Sequence, residues 1–285
     1  MRPKAARYVA GAAIALSLTG CKDAGRDTAD AVAPTPSDGA RASAAQKLLA
    51  EMADRASRVR SVRGAMSTTS GAPGEQNETR GSFVYRLKPT AAMRFYVPAA
   101  RIGGRNTGGF TEIVVGGRLY MYMADSAAET DKPWASVGLS EVSRSTGPGV
   151  LALSQGDPAH DVRMFTASTD VRQVGRETVG GVRTTHYRGT FGPAAGVAKL
   201  GGEQRAEERK ALAQVGADTL VFDVWVDGRR LPRKVVWATP PGAEPRMTLT
   251  TNYTAFNVPV RVTAPPKSQV EEDPALFGAG NDAPG

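Results

Sequence analysis

The chain has 285 residues, with 36 basic and 28 acidic side chains, a formal net charge of +8 and a single cysteine. One cysteine permits no intrachain disulfide, so an exported domain must stand on packing alone. The basic balance does not make a nucleic-acid partner: no Lys/Arg run exceeds two, the cations are scattered singly, and no aromatic-basic pattern of an RNA-binding sheet occurs.

At the N-terminus, Arg2, Lys4 and Arg7 precede any acidic residue, and Tyr8 to Leu18 is apolar and small, broken only by Ser17. That run of about eleven residues has signal-peptide length and is too short to span a bilayer. Leu18-Thr19-Gly20-Cys21 has the form of a lipobox, in which small neighbours expose a thiol that takes up a diacylglyceryl group. The sequence therefore predicts a lipoprotein signal peptide over 1–20, lipidation at Cys21, and a membrane partner reached through the acyl anchor on the extracytoplasmic face. Several acyl chains anchor firmly where one holds only marginally. Cleavage would leave a charge of about +5, suited to anionic lipid heads.

Residues 21–43 are rich in Ala, Asp, Gly, Pro, Ser and Thr and read as a flexible tether. The folded body is expected over 44–264, with a disordered tail over 265–285. Leu48, Leu49, Met52, Ala56 and Val59 recur at helical spacing, and Gly64 is expected to end that helix. Strand signals follow. Phe83, Tyr85 and Leu87 alternate with polar residues, as do Met93, Phe95 and Val97. Hairpins are predicted around Gly116-Gly117, Gly180-Gly181 and Asp227-Gly228, whose residues supply the positive φ of tight turns. A last strand covers 246–256. Polar helical inserts are expected over 157–167 and 203–215. Gly103-Gly104 and Gly108-Gly109 bracket a predicted loop. The fold class is α+β: a single curved antiparallel sheet of about nine to eleven strands, wrapped over a few helices that cover its apolar face.

The segment Phe222-Asp223-Val224-Trp225-Val226-Asp227-Gly228-Arg229-Arg230-Leu231-Pro232-Arg233-Lys234-Val235 resembles the LppX/LprG group of actinobacterial lipoproteins. So do the hairpin from Val179 to Tyr187 and the ending Phe256 to Pro266, which, with the lipobox, stretch the resemblance over nearly the whole chain. It implies a half-barrel like that of the LolA and LolB carriers. It also implies an apolar cavity between sheet and helices that, in some members, holds acylated glycolipid.

By alternation alone, Phe83, Tyr85, Phe95, Phe222, Val224, Trp237, Leu249 and Tyr253 share the apolar face, where they either line a ligand cavity or fill a core. Met121, Met123, Met164 and Met247 could make such a cavity adaptable. Enzyme chemistry has little footing. The two histidines are His160, beside Asp157 and Asp161, and His186, expected to face solvent with Arg188. Neither forms a metal set, no cofactor is implied, and no G-x-S-x-G, P-loop or dinucleotide fingerprint occurs. The reading is a non-enzymatic envelope lipoprotein that binds or carries acylated lipid or glycolipid. Its alternative is a sensor or protein-interaction lipoprotein with a filled core and an envelope protein partner.

Overall fold

The computed structural model describes residues 38–72, 75–127, 130–142 and 156–272. The expected signal peptide, Cys21 and most of the expected tether lie outside them. Helix α1 (Asp38–Ser57) leads into β1 (Ser61–Gly71), β2 (Asn77–Arg86), β3 (Ala92–Ile102), β4 (Arg105–Val115), β5 (Arg118–Met123) and, after the short helix α2 (Ala124–Ala127), β6 (Trp134–Gly138). After α3 (Leu139–Val142) come α4 (Pro158–Phe165), β7 (Arg172–Val179), β8 (Val182–Phe191), α5 (Pro193–Val197) and α6 (Gly202–Val215). The chain ends in β9 (Leu220–Asp227), β10 (Pro232–Ala238), β11 (Arg246–Phe256) and β12 (Val270–Glu272).

All twelve strands form one unclosed sheet in the order β12-β6-β5-β4-β3-β2-β1-β11-β10-β9-β8-β7. Its pairings are antiparallel except for β12 on β6, which is parallel, so the sheet is mixed rather than purely antiparallel. Gly64 does not end α1. It lies in β1, opposite Phe83 and Tyr253, and the helix stops at Ser57. The expected loop at 103–109 is instead a hairpin: Gly103 and Gly104 form its turn at φ 56° and 76°, and Gly108 and Gly109 belong to β4. Among the described residues, α1 starts at Asp38, inside the stretch expected to be tether, and β12 lies inside the stretch expected to be a disordered tail.

Register shapes the concave face. The Phe83 ring lies over Gly64, Phe95 over Gly81 and Phe222 over Gly189, so a Cβ at any of the three glycines would stand within 2.8 Å of the ring above it. Each ring thus seals a backbone that a side chain would hold away from it. On this layer sit the helices. Leu49, Met52 and Ala56 of α1 are fully buried, and Phe165 of α4 stacks flat on Phe222 at 4.2 Å. The 157–167 segment, expected to be polar, is buried over most of its length because it fills the space between α1 and β8. On the opposite face the chain turns at Asn257 (φ 56°) and runs back across the sheet. There Val260 and Val262 cover a second apolar cluster of Ala92, Ile113 and Trp134 before β12 pairs with β6.

Candidate functional site

The eight residues expected on the apolar face are all brought together there. Phe83, Tyr85, Phe95, Phe222, Val224, Trp237, Leu249 and Tyr253 are buried in one continuous core. Phe83 meets Tyr85 and Tyr253 edge-on at 5.6 and 6.1 Å. They form a packed wall behind the helices. Of the four methionines, Met164 is in the core, Met121 and Met247 are half-buried, and Met123 is exposed.

The wall has a polar seam. Asp157 caps α4, its carboxylate accepting from the Ala159 amide at 2.9 Å, and one turn of helix brings His160 and Asp161 inward. His160 Nε2 lies 3.0 Å from a Glu208 oxygen on α6. Burial alone would lower the His160 pKa, but the Glu208 and Asp161 carboxylates outweigh it and raise it. Burial pushes the Asp161 carboxyl up to about 7, with His160 opposing and Glu208 assisting. Glu112, on β4 opposite Phe95, is pushed by burial up to about 8. The Tyr85 and Tyr253 hydroxyls are raised well above their usual range, first by burial and then by neighbouring carboxylates. Glu112 and the two tyrosines therefore keep their protons at neutral pH rather than charge. Glu112 was visible in the sequence: Phe110-Glu112-Val114 puts a carboxyl on an apolar face.

The second histidine is not solvent-facing. His186 is 7% exposed and lies on the face away from the helices. It stacks on Trp225 at 4.2 Å, with Lys234 4.4 Å over the same indole. Its Nδ1 is 3.0 Å from Glu177 and its Nε2 2.6 Å from Asp223. Arg188 donates to Asp223 at 2.8 and 3.2 Å, completing a polar row that ties edge strand β7 to β8 and β9. Cross-strand register builds this row, since it puts Arg188, His186, Asp223 and Trp225 on one face of two paired strands. Among the described residues no group of three or more His, Cys, Asp or Glu is arranged to hold a metal ion.

Two open clefts lie at the β7 edge. A cleft of about 750 Å³ runs between α1 and the start of β7, with Ala44, Ala45, Leu48, Val171 and Tyr187 as its apolar side. Its volume falls within the usual range of small-ligand sites. A second cleft, of about 530 Å³, continues round the β7–β8 and β9–β10 turns. Both are lined by Tyr187 and Arg230. The β9–β10 turn differs from expectation. Its positive φ belongs to Arg230 (64°), not to Gly228, and the Asp227 carboxylate caps the turn by accepting from the Arg229 and Leu231 amides.

A single unclosed sheet curved over helices defines the class, a half-barrel. The particular form is that of two mycobacterial lipoproteins. LppX of Mycobacterium tuberculosis matches 80% of this chain and all of its own at 18% identity and a TM-score of 0.50. LprF of Mycobacterium bovis matches 78% of this chain and 97% of its own at 14% identity and a TM-score of 0.51. No family model matches the sequence. A Streptomyces griseus protein of 31.2 kDa is 41% identical over 78 residues, 26% of either chain. A Streptomyces coelicolor protein that carries the name of a lipoprotein is 28% identical over 206 residues, 70% of this chain and 58% of its own. The matches thus span 26% and 58% of the lengths of these two relatives.

Proposed function

We propose that this chain is a lipid-anchored protein of the extracytoplasmic membrane face that binds the acyl part of a lipid or glycolipid in its half-barrel without catalysing a reaction. The carrying observation is the 750 Å³ cleft, where apolar residues of α1 meet the β7 edge. The eight-residue wall packs the centre of the half-barrel, so the acyl chain enters at the edge, between helix and sheet. Cys21 supplies the anchor, its thioether-linked diacylglyceryl group holding the protein at the surface that stores the ligand.

The test is native mass spectrometry of the full chain carrying Cys21→Ser, purified from a bacterial envelope, with lipid extraction. A discrete adduct that releases acyl lipid, and that is lost when exposed Ala44 is replaced by Trp to fill the cleft, is the expected result. A bare mass with no uptake of added lipid would contradict it. One observation favours a second reading, a protein-interaction module with a filled core: the wall residues close on one another through ring contacts. That version calls for crosslinking in cells to return one protein partner and no lipid.

A further inference from the structure

The cleft at the β7 edge is unequal in charge. Five cations line its two halves: Lys47, Arg172, Arg176, Arg183 and Arg230. Four carboxylates do so as well, but three are committed elsewhere. Asp170 accepts from Ser168 and from the amide and hydroxyl of Thr190. Glu177 faces His186, and Asp227 takes the turn amides and the Arg233 guanidinium. The remaining one, Glu51, reaches Arg230 at 3.5 Å across exposed surface. The cations therefore exceed what the local carboxylates neutralise.

Arg230 makes the point more sharply. It holds a left-handed backbone conformation at φ 64°, which glycine adopts freely and an arginine does not. The turn would be easier to form with glycine there, yet a guanidinium stands at the junction of the two clefts. Tyr187 lines both clefts together with Arg230, and Arg176 lines the second cleft with them.

We propose that the two clefts form one site for an amphiphile, with the acyl part against Ala44 and the Tyr187 ring, over the buried Ala45, Leu48 and Val171, and an anionic head group seated on Arg176, Arg230 and the Tyr187 hydroxyl. This rests on the lipid-binding reading and adds the head-group class, a net-negative phosphodiester with no cation of its own, held by guanidinium forks. The same chemistry would take a free phosphate, so the test separates the two sources.

The full chain carrying Cys21→Ser is titrated, at low salt, with monomeric dihexanoylphosphatidylglycerol, dihexanoylphosphatidylcholine and inorganic phosphate. The expected order is phosphatidylglycerol at least about tenfold tighter than phosphatidylcholine, one charge-assisted contact being of that size, with phosphate alone weaker than either. In Arg176→Gln and Arg230→Gly proteins the preference falls to near unity. The melting temperature of Arg230→Gly holds or rises, because glycine suits the turn. Equal affinity for both lipids would overturn the head-group assignment and leave the lipid-binding reading standing. Failure of both lipids to bind would overturn both. Phosphate binding as tightly as phosphatidylglycerol, with phosphatidylcholine silent, would mean a free-anion site and overturn the lipid source. A full preference kept in the two variants would place the seat elsewhere.

Discussion

The centre of the concave face and the β7 edge are built on opposite terms. At the centre, rings lie over glycines, carboxyls are stripped of water, and acidic groups retain their protons. At the edge the same sheet is half-covered, β7 is exposed along its length, and guanidiniums outnumber the carboxylates free to meet them. The centre spends its apolar surface on stability and the edge leaves some uncovered. Ligand binding in a half-barrel therefore need not require a hollow centre, since an unclosed sheet has an edge where helix and strand part.

Substitutions should separate the two regions. The largest expected effect is Phe222→Ala, which removes the ring between Phe165 and Gly189 and costs about 3–5 kcal/mol in chemical denaturation. Exposed Val174 of β7, truncated to Ala, should change stability by less than about 0.5 kcal/mol. A cost for Phe222→Ala no larger than that would mean the centre is not packed as described.

Next comes pH. Glu112 and Asp161 have raised folded pKa values, about 8 and about 7, so the native state holds protons that the unfolded chain has released. Stability contributed by these protons is fully present below the unfolded carboxyl pKa and falls as pH rises toward 7–8, by about 1.4 kcal/mol per pH unit for each group. His160, also raised, acts with the same sign, its stabilising charge being lost as pH rises through its folded pKa. Glu112→Gln should flatten the fall and be the more stable protein at pH 8, by on the order of 2 kcal/mol. Denaturation midpoints from pH 5 to 9 check this, and an unchanged slope in the variant would remove Glu112 from the explanation.

On the outer face, His186→Phe keeps a ring on Trp225 but removes the ring nitrogens that face Asp223 and Glu177, at a cost of about 1–3 kcal/mol. Amide exchange in β7 should quicken in that variant, because the row ties the edge strand to its neighbours. Smallest of all, Arg230→Gly should raise stability by about 0.5–1 kcal/mol, the reverse of what a structural arginine would give.

Much of the centre was legible in the sequence. Period-two alternation placed Phe83, Tyr85, Phe222 and Val224 on one face, and Gly-Gly pairs marked two hairpins, now seen at φ 61° and 75° and at φ 55° and 78°. β1 escaped notice because Ser67-Thr68-Thr69-Ser70 is polar throughout and half-buried, with no alternation to show. The burial of His186 depends on a cross-strand row that local sequence does not display. The cleft is least legible of all: it joins α1 to β7 and to the β9–β10 turn, more than a hundred residues away, and only the folded sheet brings them together.

Acyl lipid is proposed to enter at the β7 edge. The direct measurement is photocrosslinking of the full Cys21→Ser chain to a phospholipid with a photoreactive acyl chain, with the adducts mapped by peptide mass spectrometry. Adducts at 44–48, 171–173 and 187 are expected, and Ala44→Trp should remove them. Adducts confined to Phe83, Tyr85 and Tyr253, or no adduct anywhere in the chain, would contradict the claim.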